Sequence, residues 1–316
     1  MQWIRYKTSA QRRPRLAVRT EAGTYDLQAS YERYRQAGEP AVRGLSAALQ
    51  AASLRTLLGL SETESFLTLM RQNDERYAVA LQIDDRAALL APLHDPGRII
   101  GIGLNYHDHA REIGQEAPPV PPLFAKWPNS INGPYGSIDL PSRSEAVDYE
   151  VELGIVIGAR TRCVAPADAL SSIFGYTVIN DISARDLQFQ TSQWLAGKIC
   201  DGFAPLGPTI TERRDLPSWA ELTLKTWVNG ELRQDGCTRD MIHDPASLVS
   251  YLSHLMTLDP GDIIASGTPA GVGMSHKPPR YLKAGDVVRA SIAGLGMLEN
   301  RIRASTPQQG IAKNAP

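Results

Sequence analysis

Between residues 147 and 158 the chain reads VDYEVELGIVIG, with apolar positions alternating with acidic ones before an apolar run that ends at Ile157. A period of two is the signature of a strand, in which residues two apart share a face. The segments IFGYTVIND, GDIIASGT and GDVVRASIAGLGMLENRI read the same way, and LTLKTWVNGELRQ carries Asn229-Gly230 as a tight hairpin turn. One segment has clear helical spacing: PASLVSYLSHLMTL, with Asp244 as N-cap and Pro245 at the first helical position. The first ninety residues differ. WIRYKTSAQRRPRLAVRTEAGTYDL predicts short strands joined by a polar turn, followed by helical stretches near 41 to 58 and 62 to 73. LLAPLHDPGRIIGIGLN then leads from a Pro-containing linker into an apolar strand. The pattern predicts a mixed α/β, strand-rich chain with a small N-terminal α+β domain over 1–94 and a main domain over 95–303. A polar tail, 304–316, reads as disordered.

Composition narrows the function classes. Lys plus Arg total 33 against 34 Asp plus Glu, and no long basic tract is present to follow a phosphate backbone, so nucleic acid is not the expected partner. No window approaches the roughly 18 apolar residues of a membrane span, and the first residues lack the apolar core of a secretory signal. A cytoplasmic location is expected. Cys163, Cys200 and Cys237 are odd in number and form no CxxC pair, which argues against a disulfide framework or thiolate zinc and for buried thiols.

The chemistry lies in polar residues set among apolar ones. Glu150 and Glu152 share a strand face, where like charges either face water or need a cation between them. Asp181 ends the strand IFGYTVIND and enters a turn carrying Arg185 and Gln188; it is either a helix cap or a third carboxylate of an all-oxygen site suited to Mg2+. In GLNYHDHAREIG, His109 and Glu112 are three apart, so on a helix the carboxylate can orient the imidazole as a general base for water; a metal-ligand pair or a solvated loop remain open. GIG is not a dinucleotide fingerprint, because Tyr106 stands where the third Gly would be. Lys126 and Lys198 sit in apolar surroundings and either reach out to solvent or face an anion. Gly267 and Thr268 end an apolar strand in a Gly-rich loop, giving an anion-binding nest of backbone N–H groups or only a turn.

Taken in order, GLNYHDHAREIG, LFAKWPNS, DYEVELGIVIG, GYTVINDISARDLQ, QWLAGKICDGFAPLGP, VNGELRQDG, MTLDPGDIIASGTPAGVG and LKAGDVV resemble the fumarylacetoacetate hydrolase family over roughly residues 98 to 302. The similarity is to its acylpyruvase and 2-hydroxyhepta-2,4-diene-1,7-dioate isomerase-like branch. The resemblance implies a mixed β-sheet rolled around a metal, and a homodimer. It implies Glu150, Glu152 and Asp181 as ligands of one Mg2+ or Mn2+ per subunit, and His109, Glu112 and Lys198 as catalytic residues. Lys126, Arg185, Gln188, Gly267 and Thr268 are implied as substrate contacts, and His107 becomes the lesser candidate. GRIIGIGL supplies no fourth carboxylate, which departs from the founding hydrolase. The Pro-rich APPVPP implies a stiff hinge for the segment carrying His109 and Glu112. The implied activity is hydrolysis of a C–C bond in an acylpyruvate-like 1,3-dioxo acid. A decarboxylase or isomerase of a 2-oxo acid on the same scaffold is the alternative, and a non-catalytic metal-binding protein the rival from another class.

Overall fold

The structure, a computed structural model, describes residues 1–304 apart from 10, 12, 61–62 and 84–87. The chain starts with a β-meander of β1 (Gln2–Tyr6), β2 (Arg15–Arg19) and β3 (Thr24–Asp26). Four helices follow: α1 (Leu27–Gln36), α2 (Leu45–Gln50), α3 (Leu54–Leu58) and α4 (Glu64–Arg71). The helical stretch expected over 41 to 58 is two helices, because Ala52 adopts a positive φ and Ser53 caps α3, accepting from the Thr56 N–H. From residue 305 onward the expected tail lies outside the described residues.

After β4 (Leu89–Leu90) come β5 (Ile99–Ile102), α5 (His107–Glu112), β6 (Leu123–Lys126), β7 (Ile131–Asn132), β8 (Ile138–Asp139), β9 (Val147–Asp148) and β10 (Val151–Ile157). The chain continues through α6 (Pro166–Ala169), β11 (Ile173–Asn180), β12 (Ser183–Ala184), α7 (Arg185–Gln188), α8 (Leu195–Lys198) and β13 (Ala204–Glu212). It closes with β14 (Thr223–Val228), β15 (Glu231–Cys237), α9 (Pro245–Leu255), β16 (Ile263–Ala265), β17 (Val287–Ile292) and β18 (Gly296–Arg303). The main sheet runs β3-β2-β1-β13-β11-β10-β16-β5-β6, and a five-stranded sheet runs β15-β14-β17-β18-β8. The sheet is mixed, since β16 pairs parallel with β5 while β10 is antiparallel to both its neighbours.

Local sequence accounts for these elements. Every residue of β10 is buried, so its apolar run covers both faces of a central strand. Asn229 and Gly230 both take positive φ, as the β14–β15 turn requires. The stretch GDVVRASIAGLGMLENRI contains two strands, turned at Gly294. Asp244 caps α9 by accepting from the Ser247 N–H, with Pro245 in its first turn. Residues 1–94 are joined to the rest by β1 pairing with β13, and one apolar cluster spans Trp3, Leu27 and Phe66 together with Val156, Leu206 and Ile263. Among the described residues no helix is long and apolar enough to cross a membrane. The cysteines depart from expectation: Cys163 is exposed in a turn with positive φ, and Cys200 and Cys237 are part-exposed.

Candidate active site

Strand alternation brings the first acids inward, and three-dimensional folding adds the rest. Glu150 and Glu152 flank Val151 at the start of β10, and Asp181 follows β11, its N–H donating to the Glu150 carbonyl at 2.8 Å. One carboxylate oxygen from each of the three lies within 4.8 Å of the others. All three are buried, so the solvated-face reading of Glu150 and Glu152 fails. Asp181 is no helix cap, because α7 begins only at Arg185 and has no side-chain cap.

Both suspect lysines face anions. Lys198 Nζ donates to Glu150 Oε2 at 2.7 Å and Asp181 Oδ2 at 2.6 Å, while Lys126 Nζ donates to Asp181 Oδ1 at 2.6 Å and the Ile182 carbonyl at 3.0 Å. Arg185 donates to Glu150 Oε1 at 2.7 Å, Asp148 Oδ2 at 3.0 Å and Gln188 Oε1 at 3.0 Å. Asp148 is a site residue that the sequence reading passed over. Its signal was present, since it extends the same alternation two residues before Glu150. It anchors Arg185 and accepts the Gly273 N–H at 2.7 Å.

The charges are unevenly distributed. Burial pushes the Glu150 carboxyl up, yet Arg185 and Lys198 together hold it below the usual carboxylate range. Burial also lowers the Lys198 ammonium, but Asp181 and Glu150 carry it above its ordinary value. Lys126 ends up lowered, because its burial outweighs the pull of Asp181. Among the described residues Glu152 pairs with no cation: it accepts the Gly267 N–H at 2.9 Å, and burial with Asp181 and Glu150 nearby drives it well above its ordinary value. Four buried acids, Asp148, Glu150, Glu152 and Asp181, thus face three buried cations, Lys126, Lys198 and Arg185. The carboxyl left without a paired cation, Glu152, is the one a divalent cation in the triad would keep charged. A divalent cation fits such an all-oxygen set, whose hard donors suit Mg2+ or Mn2+.

The dyad approaches from α5. His109 Nδ1 lies 3.1 Å from Glu112 Oε2, and Glu112 Oε1 accepts the Gly271 N–H at 2.8 Å. Burial opposes the Glu112 charge, but His109 and that N–H hold its carboxyl below the ordinary range. Asp240 Oδ2 accepts the Asp108 N–H at 2.9 Å, and buried Asn105 bonds His243 and the Ser266 carbonyl, so the Asn-Tyr motif ties the entrance of α5 to two distant segments. His107 is exposed at the start of α5. After α5 the Pro-rich connection touches the body, with His243 Nε2 3.1 Å from the Pro118 carbonyl. Thr268 donates to the Val151 carbonyl and accepts from Gln234, another residue missed from sequence, so its hydroxyl and the Gly267 N–H are both engaged within the protein.

A cavity of about 200 Å³ collects these groups, lined by His109, Glu150, Glu152, Arg185, Gln188, Lys198 and Thr268. Lys126 lies behind it, against Asp181. Residues 98–303 match the family model for the fumarylacetoacetate (FAA) hydrolase C-terminal domain. The chain belongs to the fumarylacetoacetate hydrolase family. Its sequence is 41% identical over 265 residues to a fumarylacetoacetate hydrolase domain-containing protein 2 homolog from Dictyostelium discoideum, covering 79% of this chain and 85% of the relative. The fold matches the fumarylacetoacetate hydrolase from Exiguobacterium antarcticum with a TM-score of 0.75 and 36% identity, over 96% of this chain and 99% of that one. It also matches the maleylpyruvate hydrolase from Sphingobium sp. SYK-6, solved with manganese(II) and pyruvate, with a TM-score of 0.72 and 27% identity over 97% and 100% of the two chains. The family resemblance drawn from ordered motifs and the strand-rich mixed fold are therefore both borne out.

Proposed function

We propose that this chain is a divalent-metal-dependent hydrolase that cleaves a C–C bond in an acylpyruvate-like 1,3-dioxo acid. One observation carries the reading: His109, paired with Glu112, lines the same cavity as Glu150 and Glu152 of the three-carboxylate cluster. Glu150, Glu152 and Asp181 would hold one Mg2+ or Mn2+. The chemistry the ion supplies is Lewis acidity toward the oxygens of a 2-oxo acid.

The protein's own groups do the rest. Lys198 and Arg185 border the cavity and offset the charge of the substrate carboxylate, while the Gln188 amide and Thr268 side chain border the bound acid. Lys126 stays behind Asp181 and sets the direction of its carboxylate. Glu112 accepts the Nδ1–H of His109, which leaves Nε2 as the basic nitrogen for a water. That water adds its oxygen to the distal carbonyl and gives a proton to His109. The bond between the acyl carbon and the methylene breaks, and its electron pair passes into the 2-oxo acid as an enolate. Protonation of the methylene carbon yields a carboxylate and pyruvate or its analogue. Assembly follows the same reading: two copies pair along β6, the edge of the main sheet, where Leu123 and Trp127 are 38% and 50% exposed.

Turnover in 18O-labelled water tests the reaction. Hydrolysis places solvent oxygen in the newly formed carboxylate. Release of carbon dioxide, or an isomer with no new carboxylate, assigns the scaffold to decarboxylation or isomerisation instead.

A further inference from the structure

The cavity changes character from its floor to its rim. The floor is charged and buried, with Glu150, Glu152, Arg185 and Lys198 all at most 6% exposed. Much of the remaining lining is apolar, with Ile102, Leu104, Ile113, Phe124, Trp194 and Met274, and with Phe189, which is 54% exposed. This apolar wall is built into the backbone. A Cβ at Gly101 would stand 2.2 Å from the Phe124 ring, and one at Gly103 would stand 2.5 Å from Trp194, so the two aromatic rings rest on bare backbone of β5 and of the residue that follows it. The rings lie 6.0 Å apart, and Phe124 covers Lys198, whose Nζ is 4.6 Å from the ring centre.

Arg185 and Lys198, the permanent cations that line this cavity, sit at its buried floor against the acids there. Arg185 holds Asp148 and Glu150, and Lys198 holds Glu150 and Asp181. Beyond His109 and the charged floor, the polar side chains that line the cavity are uncharged: the amides of Gln115 and Gln188 and the Thr268 hydroxyl. A second carboxylate on the far end of a substrate would lose water there and gain no partner, which is strongly unfavourable. A hydrocarbon tail would bury apolar surface against the same wall.

Resting on the reading that a 2-oxo acid occupies the floor, we propose that the cavity selects 2-oxo acids with an uncharged, apolar far end and rejects those ending in a second carboxylate. The substrate class is then acylpyruvates with an alkyl or aryl acyl group, and the apolar wall is the specificity determinant. Phe189 closes the tail site at the rim.

Calorimetric titration of the Mn2+-loaded protein with two acids of equal chain length, 2-oxohexanoate and 2-oxoadipate, tests this without turnover. The expected result is binding of 2-oxohexanoate at least about tenfold tighter, with each methylene from 2-oxobutanoate upward contributing up to about fourfold. Phe189→Arg, which places a cation at the rim, is expected to shift the ratio toward 2-oxoadipate by about tenfold. Equal or tighter binding of 2-oxoadipate by the unaltered protein overturns the inference. Binding of neither acid overturns it together with the reading beneath it. Tighter binding of 2-oxohexanoate without cleavage of any 2,4-dioxo acid leaves the tail selectivity standing and removes only the hydrolase reading.

Discussion

Glu150 and Glu152 are two positions apart on one chain and have opposite tendencies, because Arg185 and Lys198 both donate to the first while the second accepts from the Gly267 N–H. Burial alone would keep either carboxyl neutral, so the arrangement of cations decides which one stays charged. The same logic assigns different consequences to neighbouring substitutions. Glu152→Ala removes a ligand oxygen and is expected to abolish Mn2+ binding in a titration of the purified protein; unchanged affinity would take Glu152 out of the ligand set. His109→Ala touches no member of the triad. Its Mn2+ affinity should match that of the unaltered protein, while kcat falls roughly 10²- to 10⁴-fold, the usual worth of a positioned general base. Full turnover in that variant would remove the dyad from the mechanism. At this scale the sequence was informative where residue type is unusual for its setting: acids and lysines among apolar residues stood out. It was uninformative about partners. Lys126 and Lys198 read alike, yet one reaches only Asp181 among the triad carboxylates and the other bridges Asp181 and Glu150.

Strand β5 shows how an element can carry function without a reactive group. Gly101 within it and Gly103 just after it form no dinucleotide fingerprint; they are flat patches on which Phe124 and Trp194 pack. Gly101→Val drives a side chain into the Phe124 ring. A loss of about 1–3 kcal/mol is expected from overpacking, seen as a lower urea midpoint at constant m-value; unaltered stability would show that the ring moves freely. The β14–β15 hairpin was legible because Asn-Gly satisfies two positive φ angles within two residues, a purely local demand. The segment from Gly285 to Ile302 was harder to divide, since SIAGLGML keeps apolar residues through its turn and Leu295 is itself buried. The pairing of Gly101 with Phe124 was not legible, because the two meet only across the β5–β6 register.

For the molecule as a whole, stability draws on contacts that join the N-terminal strands to the rest. Glu212, at the end of β13, accepts from Trp3 Nε1 at 2.9 Å and Arg214 Nε at 2.5 Å, and Arg71 lies 3.4 Å away. Burial raises this carboxyl, but the indole N–H and the two arginines bring it below its ordinary value of 4.5. A group depressed on folding stabilises the native state at pH values above its unfolded pKa and loses that contribution as pH falls through the folded value. Urea melts are therefore expected to show stability declining from about pH 4.5 downward, and Glu212→Gln should be less stable at pH 7 with a shallower acid limb. An identical acid limb in the variant would mean that other carboxyls account for it. Assembly makes a separate demand. If two copies pair along β6, Trp127→Glu should yield monomers in light scattering while the circular dichroism is unchanged, and a persistent dimer would place the interface elsewhere.

By itself the sequence determined that the segments now seen as β10, β11 and β14 to β18 are strands, where the Asn-Gly turn and the Asp-Pro helix start fall, and that acids and lysines stand where apolar residues are expected. Those features depend on neighbours a few positions away, and the chain states them directly. Only the tertiary structure decided that Lys198 bridges Asp181 and Glu150 across separations of 17 and 48 residues, and that Lys126 reaches Asp181 across 55. It also decided that Asp148 completes the charge set and that an apolar wall faces the acids. Such pairings are choices among many possible partners, made by burial: an ion removed from water must take whichever opposite charge the packed strands bring within reach.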